Sequence, residues 1–105
     1  MLFSVGAALL DACVLSALRE EDTYGYVLTQ TLKETIDISE STLYPVLRRL
    51  QKDELLSTYD IPWQRRNRRY YAITEKGREI ASEYKAAWSD FRNRVDGLIL
   101  GGRAS

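Results

Sequence analysis

A chain of 105 residues holds a single hydrophobic core, and a long apolar helix left at one end of so small a domain calls for a second copy of the chain to cover it. With 45% hydrophobic and 29% charged residues it suits a globular fold and falls outside the disordered range. Its 15 basic and 15 acidic residues cancel, which excludes nucleic-acid binding driven by overall charge and leaves the distribution of charge to decide.

That distribution is uneven. Met1 to Ser39 carries six acids and two bases, Glu40 to Ala72 seven bases and four acids, and the remainder six bases and five acids. The middle third is the basic one, and inside it Arg65, Arg66, Arg68 and Arg69 stand together with no acid among them.

In chain order, Leu2 to Leu18 is apolar on nearly every side, with Val5, Leu9, Ala12, Leu15 and Leu18 at helical spacing, and is expected to be a first, buried helix. Asp11 interrupts the stretch, no basic segment precedes it, and it falls short of the about 20 residues of a membrane span, so a membrane location is not expected. Cys13 within it has no second cysteine to pair with and reads as a small buried hydrophobe in a reducing compartment, the cytoplasm. Glu20 to Thr23 form a turn, and Tyr24 to about Glu34 a second helix with Val27, Leu28 and Leu32 on one face. Ile36 to Ile38 reads as a short extended link.

Ser39 then occupies an N-cap position ahead of a third helix, Glu40 to about Asp53, whose buried face is Leu43, Val46, Leu47 and Leu50. Leu55 to Trp63 and Arg68 to Ile73 are rich in aromatic and β-branched residues and predict two strands, joined by a basic loop with Asn67 at its tip. Thr74 caps a final helix from Glu75 to about Leu100, ended by glycines 101 and 102. Helix, helix, helix, hairpin is the order of a winged helix-turn-helix, so the fold class expected is mainly α with a β-hairpin. Residues 1–73 form the DNA-binding domain and residues 74–105 a C-terminal dimerisation helix and tail.

Two surfaces carry chemistry. Opposite the buried leucines, the third helix presents Ser41, Thr42, Tyr44, Pro45, Arg48 and Arg49, hydroxyls and guanidiniums suited to phosphates and base edges in a major groove. The same residues also describe the solvated face of any amphipathic helix. Arg65, Arg66 and Arg68 in the hairpin suit phosphate contact or insertion in a minor groove, the alternative being a charged edge that blocks strand aggregation. Along the last helix Ile80, Tyr84, Trp88, Phe91, Val95 and Leu98 make a stripe too long for the domain to cover, and with Leu9 they are the expected dimer interface. Trp88, Phe91 and Tyr84 are either part of that seam or the lining of an apolar cavity for a flat ligand.

Catalysis finds no support: there is no histidine, no cysteine pair and no phosphate-cradling glycine loop, and the acids at Glu20 to Asp22 fall in a turn. Neither a metal nor a cofactor is expected.

Tyr24-Gly25-Tyr26, then Ser41-Thr42-Leu43-Tyr44-Pro45-Val46-Leu47-Arg48-Arg49-Leu50, then Arg68-Arg69-Tyr70-Tyr71-Ala72-Ile73-Thr74-Glu75-Lys76-Gly77 resemble, in order and spacing, the PadR-like transcriptional regulators. The match runs over roughly residues 9 to 80, and the short length with one C-terminal helix is similar to the smaller PadR subfamily. A lactococcal multidrug-binding member of that subfamily carries a tryptophan in the stretch that Trp88 occupies. The resemblance implies a homodimeric repressor on an inverted-repeat site in double-stranded DNA, released when a planar aromatic small molecule binds. Two departures stand out: many relatives have glycine where this chain has Glu54, and glycines in the wing where it has Trp63-Gln64-Arg65-Arg66. Two rival functions follow from the same residues, a winged-helix module for protein association and a ligand-carrying dimer that does not bind DNA.

Overall fold

The elements run α1 (Ala7–Ala17), β1 (Thr23–Tyr24), α2 (Gly25–Ile36), α3 (Glu40–Lys52), β2 (Leu56–Trp63), β3 (Arg66–Ile73) and α4 (Glu75–Ile99) in this computed structural model, which describes residues 2–101. Gly102, expected to help end the last helix, and the rest of the C-terminal tail lie outside the described residues.

The core is made almost entirely of leucine. Val14 and Leu15 of α1 and Leu18 at its C-cap are buried with Leu28 and Leu32 of α2 and Leu43, Leu47 and Leu50 of α3, with Leu56, Ile73 and Ala81 closing the sheet and α4 sides. Burying each such side chain contributes about 1.5–3 kcal/mol, which is why the i, i+4, i+7 spacing of Leu43, Leu47 and Leu50 dictates how α3 lies. The helix runs through Pro45 without interruption, and Ser39 caps it by accepting from the Thr42 amide at 3.2 Å.

Four element boundaries differ from expectation. α1 starts at Ala7 rather than Leu2, because Gly6, extended at φ −73° and ψ 168°, offers no capping side chain and is a poor helix former; Leu2 and Phe3 ahead of it stay exposed. Tyr24 belongs not to the second helix but to a two-residue strand, too short to show alternation, which pairs Thr23 with Tyr71 and Tyr24 with Tyr70. Ile36 ends α2 instead of opening the link, and the turn is made by Asp37 at φ 53°, a conformation that aspartate tolerates better than most residues. β3 begins at Arg66, so Asn67 is not at the hairpin tip: it pairs with Pro62, and the tip is the two-residue turn Gln64–Arg65.

The result is a three-stranded antiparallel sheet in the order β1-β3-β2. Its two glycine departures are resolved by strain. Glu54 (φ 64°) and Gln64 (φ 56°) both adopt the left-handed backbone that glycine adopts without penalty, one at the end of α3 and one in the wing turn.

α4 is seated by its first turn. The Thr74 hydroxyl accepts from the Gly77 amide at 3.0 Å and donates to the Glu54 carbonyl at 2.7 Å, while the Thr74 amide donates to the Leu55 carbonyl at 3.1 Å. Gly77 lies so close that a Cβ there would sit 2.2 Å from the Leu55 carbonyl oxygen. Its glycine is therefore required by packing, a stronger constraint than the tolerance expected for a residue near a helix start. Gly77→Ala is expected to lower the unfolding free energy by about 2–3 kcal/mol, read as a fall in urea midpoint at unchanged m-value.

Candidate nucleic-acid interface

Strand register sorts the wing into two faces, since partners across an antiparallel pair point the same way. Counting back from buried Ile73, the side facing α3 carries Tyr71, Arg69 and Asn67, with Thr58, Asp60 and Pro62 opposite them. The outer side carries Tyr70, Arg68 and Arg66, with Tyr59, Ile61 and Trp63 opposite.

Between the inner face and α3 runs a groove of about 580 Å³ lined by Tyr24, Gly25, Tyr26, Tyr44, Arg48, Gln51, Asn67, Arg69 and Tyr71. Gly25 permits it: the Tyr71 ring lies 3.2 Å from where a Cβ at Gly25 would be, so any side chain there would push the ring away. Burial raises the Tyr71 phenol above its ordinary pKa, so the groove floor is a neutral hydroxyl. Arg69 is held across the strands by Asp60 at 3.5 Å.

Ser41, Thr42, Tyr44, Pro45 and Arg48 are all exposed on α3, and of these Tyr44 and Arg48 line the groove. The Ser41 and Thr42 hydroxyls each lie 3.0 Å from the Ser39 hydroxyl, a cluster of donors at the helix N-terminus. Arg49 departs from the expected set. Its guanidinium turns to the other side of α3 and pairs with Asp11 of α1, so it ties two helices together rather than facing the groove. The carboxylate raises its already high pKa further.

Arg65 sits in the wing turn and Arg66 opens β3 beside it, both exposed. Arg68 lies further back in the sheet, its guanidinium 4.1 Å from the Trp63 ring centroid and 4.7 Å from that of Tyr24. Residues that sequence reasoning misses are Tyr26, 63% exposed at the groove mouth, and Gln51, while Arg69 and Asn67, expected only as part of the basic hairpin, are placed on the groove. The expected alternation of strand residues divides the arginines, Arg69 inward and Arg66 and Arg68 outward; Tyr26 had no signal beyond its motif.

A second concavity lies on the opposite side. A hollow of about 380 Å³ between α1 and α4 is lined by Leu9, Ala12, Cys13, Ser16, Ile36, Tyr84, Lys85 and Trp88, and continues into one of about 290 Å³ that reaches Phe91. Burial lifts the Cys13 thiol pKa, which keeps it protonated and apolar. Beyond it the α4 stripe is open: Trp88 is 43%, Phe91 59% and Leu98 85% exposed, while Val95 is half-buried and Ile80 packs against the core.

The model of the transcriptional regulator PadR-like family matches residues 14–83. The chain belongs to that family. It is similar to a transcriptional regulator of Mycobacterium tuberculosis, Rv3488, at 33% identity over 92 residues covering 87% of this chain and 82% of the other. Among solved structures, smu.1704 from Streptococcus mutans superposes with a TM-score of 0.87 at 37% identity over 100% of both chains. The PadR-like regulator BC4206 from Bacillus cereus does so with 0.79 at 34% identity, covering 90% and 94%. The fold is thus a PadR winged helix with one long C-terminal helix, and the protein is a DNA-binding transcriptional regulator rather than an enzyme. Among the described residues no helix is long and apolar enough to cross a membrane.

The two neighbouring arginines of α3 separate cleanly. Arg48→Ala should weaken operator binding by about 1–3 kcal/mol, whereas Arg49→Ala should leave it unchanged in a fluorescence-anisotropy titration. The half-exposed Asp11 pair should cost Arg49→Ala less than about 1 kcal/mol of stability.

Proposed function

We propose that this PadR-like chain acts in the cytoplasm as a homodimeric repressor of an inverted-repeat operator, released by a planar aromatic small molecule. The observation that carries the reading is the groove in which Tyr44 and Arg48 of α3 face Asn67, Arg69 and Tyr71 of the wing, with the hydroxyl cluster of Ser39, Ser41 and Thr42 at the N-terminus of the same helix. A duplex laid on that side meets α3 in its major groove and Arg65 and Arg66 at the next minor groove. Neutral overall charge is no obstacle, because Arg65, Arg66 and Arg68 are gathered in the wing, where they share one concavity.

The dimer follows from the uncovered stripe on α4. Trp88, Phe91 and Leu98, together with Leu9 of α1, form an apolar surface that a second copy's α1 and α4 would cover. Residues 1–73 then read DNA and residues 74–105 assemble the dimer, with the first turns of α4, through Ala81, lent to the core. The hollow framed by Tyr84, Trp88 and Phe91 would be enclosed by that second copy and offers ring surfaces for a flat ligand.

Two measurements test this. Arg65→Ala/Arg66→Ala should flatten the plot of log affinity against log salt by about 0.9 for every phosphate no longer neutralised, for operator and unrelated duplexes alike. In a Trp63→Phe background, which leaves Trp88 the sole tryptophan, a planar cationic dye should quench fluorescence and lower operator affinity over the same concentration range. Quenching without any change in DNA affinity would contradict release by ligand.

A further inference from the structure

The outer face of the wing holds an arginine in an unusual setting. Arg68 lies in the central strand, and its guanidinium is covered from one side strand by Tyr24 and from the other by Trp63. Behind it the same face is aromatic, with Tyr70 5.8 Å from Tyr24 and stacked at 5.6 Å on Tyr59, whose hydroxyl is anchored to Asp22 at 2.7 Å. The position of the guanidinium is thus fixed by rings, not by an acid. Arg49 and Arg69 have Asp11 and Asp60; among the described residues no carboxylate lies within ion-pair distance of Arg68.

Stacking satisfies the faces of a guanidinium but none of its N–H donors, which lie in the guanidinium plane. The edge of Arg68 therefore remains able to take an oxyanion, and it opens on a concavity of about 510 Å³ shared with Arg65, Arg66 and Gln64. Trp63 is 49% exposed, so it has been left in water on an edge strand where a polar residue would be the ordinary choice. Covering Arg68 is the contact that accounts for its place.

We propose that this outer face is a second phosphate-binding surface: Arg68, aimed by Tyr24 and Trp63, takes a DNA backbone phosphate on the far wall of the minor groove that the wing enters. The inference rests on the DNA reading proposed above and extends it. The inner face, with Arg69 and Asn67, meets the wall shared with α3; the outer face meets the opposite strand, outside the half-site that α3 reads. Two consequences distinguish it from a wing whose tip alone touches DNA. Flanking base pairs beyond each half-site contribute affinity without sequence preference, and Trp63 and Tyr24 act as positioning residues for that contact.

The test is the salt dependence of binding to a labelled upstream fragment by wild type, Arg68→Gln, Trp63→Ala and Trp63→Phe, each on a duplex with long flanks and on one cut just outside the half-sites. On long flanks, Arg68→Gln and Trp63→Ala should each reduce the slope by about 1.8 per dimer, at about 0.9 for each of two phosphates left unneutralised, while Trp63→Phe retains the wild-type slope. On the trimmed duplex the wild type should fall to the slope of Arg68→Gln. The trimmed-duplex arm uses the native chain and so decides the matter whatever Trp63→Ala does to folding. Wild-type slopes equal on both duplexes, or an unchanged slope for Arg68→Gln, would overturn the outer contact alone. A wild type that ignores both duplexes in dilute salt would overturn the DNA reading with it.

Discussion

The third helix, the wing and the last helix are joined at one small junction, where α3 ends and α4 begins. Residues 53–55 are gripped from the start of α4: Lys76 donates to the Asp53 carbonyl at 3.2 Å, the Thr74 hydroxyl to that of Glu54, and the Thr74 amide to that of Leu55. The Leu55 amide in turn closes on the Leu50 carbonyl at 2.9 Å. The third helix, the wing and α4 all leave from within a few residues of this point. Because Gly77 has no side chain, the first turn of α4 lies directly on the backbone of Leu55, and no flexible layer separates them. A shift in the direction of α4 is therefore transmitted to α3 and the wing as a rigid displacement rather than absorbed by a linker.

Such a junction explains how a chain of zero net charge can serve as a DNA reader. Affinity for a polyanion needs cations held on one side, and two arginines away from the wing are engaged with acids: Arg49 ties α3 to α1 through Asp11, and Arg94 pairs with Asp90 on α4. Arg48 remains on the groove between α3 and the wing, and Arg65, Arg66 and Arg68 remain at the wing turn and on its outer face. The leucine core and the tyrosine ladder of the sheet give these long side chains a rigid base, which lowers the entropy cost of ordering them on a duplex.

Most of the architecture is legible in the residues themselves. Helix faces follow from leucine spacing, and Ser39 and Thr74 announce the helices they cap. What escapes has physical reasons. A two-residue strand has no periodicity, so β1 is invisible in the sequence and Tyr24 reads as part of the helix that follows it. The wing turn is displaced by two residues from its expected place because its usual marker, glycine, is replaced by Gln64 in a left-handed conformation that glutamine seldom adopts. Arg49 reads as a groove residue because helical geometry alone cannot say that Asp11, 38 residues earlier, waits on the other side. The aromatic cover of Arg68 is likewise a matter of strand register, which the displaced turn obscures.

In the proposed dimer α4, joined to α3 and the wing without slack, sets the distance between the two copies of α3. Spin labels at position 41 in Cys13→Ser/Ser41→Cys, measured by dipolar spectroscopy on the DNA-free protein, report that distance directly. A narrow distribution centred within a label's length of about 34 Å, the spacing of successive major grooves, is the expected result. No dipolar coupling between protomers, or a broad spread of distances, would contradict it.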